Sequence, residues 1–168
     1  MKTHKMKSSV DEVSATVDEL WDYCLREYEN SNPIAKLLFS NFYGNLSDFI
    51  SVLDADARLL EVGCGAGFSS MKINELLTTQ HFEVSDYDER YVRRLRESAF
   101  PLRVQQESIL ALNREDSSFD CVICLEVLEH IGDFQRALSE LFRVTRKWVV
   151  LSVPNEPLWH ILNLARGM

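Results

Sequence analysis

The sequence predicts an α/β fold, a sheet of parallel strands with helices on both faces, and three observations point to it. From residue 55 onward, short apolar runs alternate with amphipathic segments. A glycine turn, "GCGAG", directly follows the first of those runs. The later runs are separated by polar breaks such as "NREDSS", and the last is stopped by Pro154. Strand and helix in alternation imply right-handed βαβ crossovers, which set the strands parallel and bury both faces of the sheet.

Each element follows from its own pattern. Residues 16–29 ("TVDELWDYCLREYE") and 34–53 carry apolar residues at helical spacing, with Leu20, Tyr23, Cys24 and Tyr28 on one stripe and "NSNP" as the break between them. "ARLLEVG" reads as a buried strand, followed by the glycine turn and a helix from Phe68 to Thr79. "HFEVSD" is a second strand. Asp88 then caps a helix "ERYVRRLRES", and "LRVQQ" is a third strand. "FDCVICL" is the fourth. Asp133 caps a helix whose Phe134, Ala137, Leu138, Leu141 and Phe142 fall on one face. "KWVVLSVP" is the fifth strand, and "PLWHILNLARGM" reads as a short amphipathic helix.

The composition, 46% hydrophobic and 26% charged over 168 residues, fits one soluble domain. We divide it into a flexible leader, 1–15, and a single domain, 16–168, with a helical cover at 16–53 and a core at 55–157. A net charge of −8 disfavours nucleic acid or an anionic membrane as partner. Arg90, Arg93, Arg94 and Arg96 read as a solvated helix face. The N-terminus lacks the apolar stretch of a secretory signal, and no apolar run approaches the roughly 20 residues that span a bilayer, so a cytoplasmic location is expected. Cys121 and Cys124 form a C-x-x-C, but on a strand residues three apart point to opposite faces. They read as buried structural thiols, and no metal site is expected.

Gly63, Gly65 and Gly67 form G-x-G-x-G. Without a Cβ, such a turn lets a ligand lie against the main chain, and the following helix start offers free N–H groups. A dinucleotide turn would read G-x-G-x-x-G, with a glycine where Phe68 stands. Glu61 would repel a pyrophosphate and suits a ligand bearing ammonium or sulfonium; the alternative is a carboxylate that bonds loop N–H groups. Asp86 closes the second strand about 20 residues beyond the glycines, where an acid can accept from both ribose hydroxyls. Asp88 competes for that role, but capping explains it better.

These stretches together, "LLEVGCGAGFSS", "FEVSDYDERYVRRLRE", "SFDCVICLEVLEHIGDFQRALSELFRV" and "VVLSVPNEP", resemble the successive motifs of class I S-adenosylmethionine-dependent methyltransferases. The nearest subgroup is the methyltransferase type 11 set of small-molecule enzymes, and the resemblance covers about residues 55–157. It implies a Rossmann-like sheet, S-adenosylmethionine as cofactor, S-adenosylhomocysteine as product and a small-molecule methyl acceptor. It further implies that Glu61, Gly63, Gly65 and Gly67 surround the methionine half, that Asp86 holds the ribose and that Tyr87 packs on the adenine. Ser108 and Ile109 fall at the adenine-contact positions. The family's usual acid is missing there, with Glu107 one residue early as a substitute. Leu125 and Glu126 would face the methyl-bearing end. His130 is the catalytic candidate, as general base or substrate contact, because an imidazole with a pKa of about 6.5 accepts a proton near neutrality; bonding a loop carbonyl is the alternative.

Methyl transfer from a sulfonium needs alignment and exclusion of water rather than a metal or a covalent intermediate. Trp21, Tyr28, Phe39, Phe42 and Tyr43 are candidates for a cover over the site, although aromatic residues at helical spacing more often serve the core. The chain ends at Met168. The family's C-terminal antiparallel strand pair is therefore expected to be lacking, leaving "KWVVLSV" as an exposed apolar edge that predicts a homo-dimer or larger oligomer. Two other functions stay open. One is a cofactor-binding protein without catalysis. The other is a nicotinamide oxidoreductase, against which Phe68 and Glu61 count.

Overall fold

The computed structural model describes Glu19, Trp21, Asp22 and residues 33–77 and 81–153. Most of the expected 16–29 helix, including Leu20, Tyr23, Cys24 and Tyr28, lies outside the described residues. So do the leader, the tail from Pro154 and the side chain of Phe39.

The elements run α1 (Pro33–Ser51), β1 (Leu59–Val62), α2 (Phe68–Leu76), β2 (Phe82–Asp86), α3 (Glu89–Glu97), β3 (Arg103–Gln106), β4 (Phe119–Leu125), a short 3₁₀ turn (Leu128–His130), α4 (Phe134–Val144) and β5 (Thr145–Ser152). The five strands form one sheet in the order β3-β2-β1-β4-β5, and every pairing is parallel. The expected α/β architecture is met. Chain order runs outward from β1 in one direction and from β4 in the other. The loops leaving these two central strands therefore diverge, which is where open α/β sheets hold their ligands.

Burial explains the continuous apolar runs of the central strands. All four residues of β1 are buried, as are the first six of β4, because both strands lie inside the sheet with helices or loops on each face. One core gathers Leu59, Val84, Cys121 and Ile123 against Leu46 and Ile50 of α1, Ile73 of α2, and Val92 and Leu95 of α3. The other gathers Leu60, Val62, Val122 and Cys124 against Ala137, Leu141 and Val144 of α4 and Ile109 and Leu112 of the loop after β3. Burying a side chain such as Leu95 or Leu141 contributes about 1.5–3 kcal/mol. Cys121 and Cys124 fall in different cores, so the two thiols do point apart. Both are free, and burial pushes each up to about 12.

The caps are where the sequence places them. The Asp88 carboxylate accepts from the Arg90 N–H, and that of Asp133 accepts from the Arg136 N–H. In α3, Glu89 in the first turn and Arg94 and Arg96 in the last complement the helix dipole. Its arginines are engaged locally: Arg90 with Asp88, Arg93 with Glu89, Arg94 over the Trp21 ring, and Arg96 with the Val104 carbonyl.

Two readings need correction. The buried stripe of α4 is Ala137, Leu141 and Val144, whereas Phe134 and Phe142 are exposed. The spacing was helical, but the stripe continues to Val144, which rotates its centre away from both phenylalanines. β5 also begins at Thr145 rather than Lys147, because α4 passes directly into it. Trp21, Phe42 and Tyr43 are partly buried against the first core, as aromatic residues at helical spacing usually are.

Candidate functional site

The turn after β1 is held from three sides. The N–H groups of Gly63 and Cys64 both donate to the Ser85 carbonyl of β2, at 2.8 and 3.0 Å. The Gly65 N–H donates to Asp86 Oδ2 at 2.7 Å, and Asp86 Oδ1 accepts from the Asp88 N–H at 2.8 Å. Within the turn the Gly67 N–H donates to the Cys64 carbonyl at 2.9 Å. Asp86 therefore faces the glycine turn, one strand over, and Asp88 is occupied with its capping role. Burial pushes the Asp86 carboxyl up, with its backbone N–H donors pulling the other way.

All three glycines have positive φ, at 84°, 51° and 80°. Their reasons differ. A Cβ on Gly63 would lie 2.3 Å from Val127 Cγ2, and one on Gly67 would meet Phe100 and Leu95. Those two glycines make room for the protein itself. A Cβ on Gly65 would meet nothing within 4 Å. The middle glycine faces open space, beside the Asp86 carboxylate, and that is the fit expected of a main-chain cradle for a ligand.

Glu61 is almost fully buried in β1. Its oxygens accept from the Ser69 hydroxyl at 2.6 Å and the Ser70 hydroxyl at 2.5 Å. Loop N–H groups are not among these partners: the carboxylate instead ties β1 to the first turn of α2. Burial pushes its pKa up, the two hydroxyls oppose that, and Asp86 adds to the rise.

The adenine-side candidates sit at the end of β3. The Glu107 N–H donates to the Asp86 carbonyl at 3.0 Å, which brings this loop to the same edge. The Glu107 carboxylate is buried and turned inward, accepting from Arg114 Nε and Nη2 and from the Asn113 N–H. Arg114 also reaches Glu83 at 2.8 Å. Ser108 accepts from the Leu110 N–H through its hydroxyl, and Ile109 is buried in the second core. Tyr87 is 75% exposed beside Asp86.

At the end of β4, Leu125 is half-buried and Glu126 takes φ 56°. Its N–H donates to the Ser152 carbonyl, and its Oε1 accepts from the Ser152 hydroxyl at 2.7 Å. Val127 next to it touches Gly63, so the loops leaving β1 and β4 meet. The His130 ring is 74% exposed and stands 4.0 Å from Glu129. The structure thus groups Glu61, the three glycines, Asp86 and the Ser108 loop, while His130 stands at the solvent margin. Ser69, Ser70, Val127 and Arg114 escaped the sequence reading. The first three lie in stretches that carry the resemblance but have no role assigned there, and only the fold brings all four to their partners.

The methyltransferase domain family matches residues 59–147, more than half of the chain. The chain belongs to that family. The matched span begins with β1 and covers the turn, Asp86, the Ser108 loop and β4. A probable S-adenosylmethionine-dependent methyltransferase of Mycolicibacterium smegmatis is 32% identical over 103 residues, which cover 60% of this chain and 39% of that protein. A ubiquinone biosynthesis O-methyltransferase of Rickettsia conorii is 30% identical, covering 71% of this chain and 40% of that one. The chain thus spans about two fifths of the length of these relatives. Among solved structures, the YcgJ protein of Bacillus subtilis aligns with a TM-score of 0.55 at 23% identity, over 74% of this chain and 57% of that chain. A SAM-dependent methyltransferase of Aquifex aeolicus aligns at 0.53 and 15%, over 65% and 62%. These likenesses show the class I methyltransferase fold. Among the described residues, no helix is long and apolar enough to cross a membrane, and no cluster of His, Cys, Asp and Glu could hold a metal ion.

Proposed function

We propose that this domain binds S-adenosylmethionine and transfers its methyl group to a small-molecule acceptor, leaving S-adenosylhomocysteine. The observation that carries the reading is the open face of Gly65 set against the Asp86 carboxylate at the point where strand order reverses. The names of the relatives support the cofactor, and the O-methyltransferases among them favour an oxygen on a small acceptor.

When bound, S-adenosylmethionine supplies a methyl carbon already activated by its sulfonium. The chain's part is to hold and orient. Gly63, Gly65 and Gly67 give the methionine half a main-chain surface, and Glu61 lends negative charge to the end of β1. Asp86 keeps lone pairs on both oxygens for ribose hydroxyls, with Tyr87 exposed beside it. Glu107 is spent on Arg114, so Ser108 and the main chain at Ile109 are the groups left for the adenine. Leu125 and Glu126 border the acceptor side, and His130 is the base for an acceptor proton. On the side of α1, Trp21, Phe42 and Tyr43 pack on the first core.

Calorimetry with S-adenosylmethionine and S-adenosylhomocysteine tests this reading. The unaltered chain is expected to bind both, and Gly65→Val to abolish binding while still unfolding cooperatively. Unchanged affinity in that variant removes the site. A second reading, binding without catalysis, is favoured by the exposure of His130. Methyl transfer to any acceptor decides between the two.

A further inference from the structure

We infer that Ser69 is a positioning residue for the cofactor: with Ser70 it fixes the Glu61 carboxylate at the base of the glycine turn as counter-charge for a cationic ligand. This rests on the cofactor reading above and goes beyond it, because the resemblance assigns neither serine a role.

The argument begins with an unbalanced charge. A carboxylate taken out of water is costly unless it is hydrogen-bonded or paired. Among the described residues, the groups that hydrogen-bond the Glu61 side chain are the two serine hydroxyls, and neither carries charge. Among the described residues, the titratable groups that face it are Asp86 from β2, Cys64 from the turn and Cys124 from β4, all of which become negative rather than positive on ionising. A cation arriving at the turn would meet a site that the fold leaves electrostatically incomplete.

The serines do two things there. Each donates to the ionised carboxylate and so favours the charged form over the neutral one. Their bonds also bracket the turn, since Glu61 precedes Gly63 and the serines follow Gly67. Strand and helix are thereby clamped on either side of the cradle. Ser70 is fully buried, and its loss would disturb packing. Ser69 is half-buried, so its hydroxyl can be removed with less damage to the core.

The test measures S-adenosylmethionine affinity by calorimetry on the full chain across about pH 5 to pH 9, for the unaltered protein, Ser69→Ala and Ser69→Thr. Losing one charge-assisted hydrogen bond is expected to weaken binding about tenfold at neutral pH. It should also move the pH at which affinity fails upward, because the ionised carboxylate has lost a donor. Ser69→Thr, which keeps the hydroxyl, should restore both. An unshifted pH profile in Ser69→Ala, or weakened binding that threonine does not rescue, overturns the inference while leaving the cofactor reading intact. Absence of binding by the unaltered chain at every pH overturns the cofactor reading itself, and this inference with it.

Discussion

Three glycines in one turn look interchangeable in the sequence, yet the residues around them assign each a different task. Gly63 is kept small by Val127 and Gly67 by Phe100 and Leu95, whereas Gly65 is held to glycine by its positive φ alone, with no neighbouring side chain in reach. Gly63→Ala should therefore cost about 2–4 kcal/mol, from a forced contact with Val127 added to the strain of a left-handed backbone. Denaturant unfolding would check it. A Gly63→Ala protein as stable as the parent would mean that the turn relaxes and that the contact with the β4 loop is dispensable. The Glu61 carboxylate carries the same lesson. Its charge was visible in "LLEVG", and a ligand or a loop N–H was the expected partner. The structure gives it two serine hydroxyls eight and nine residues downstream.

Among the elements, the loop from Glu107 to Ser118 covers sheet surface that a helix would otherwise occupy, and Arg114 fastens it. The Arg114 side chain is nearly buried and joins Glu107 at 2.7 Å to Glu83 at 2.8 Å, with its guanidinium 5.4 Å from the centre of the Phe119 ring. Arg114→Met would leave the buried Glu107 carboxylate without its cation and Glu83 with only Arg103 at 4.0 Å, and a loss of about 3–5 kcal/mol is expected in equilibrium unfolding. A loss below 1 kcal/mol would mean that the loop is held by Ile109 and Leu112 alone. Strands, helices and caps were legible because period and capping chemistry are local: Asp88 and Asp133 could be placed from their neighbours. The fastening of this loop was not. Glu83, Glu107 and Arg114 lie on three separate segments, and nothing in their spacing says that they meet. The true face of α4 failed for a related reason: periodicity identifies a helix, whereas the sheet beneath decides which residues it buries.

For the whole molecule, the sheet explains why a candidate site can be read from the sequence and an acceptor cannot. The glycine turn, Asp86 and the β3 loop converge because parallel strands bring their carboxyl ends to one edge, so a motif read in order becomes a site in space. No motif in the sequence marks what an acceptor would touch. The other sheet-scale feature is β5, which pairs with β4 on one side and leaves Trp148 half-exposed. We expect this edge to associate as a homo-dimer. Light scattering at micromolar concentration should give twice the mass of one chain, and Trp148→Lys should shift it toward one. A single-chain mass for the unaltered protein would rule the association out.

Where Gly63 meets Val127, the two loops that open away from the central strands are in van der Waals touch rather than free of each other. The 3₁₀ turn that ends in His130 starts one residue further on. A larger side chain at position 63 would therefore displace the second loop together with the first.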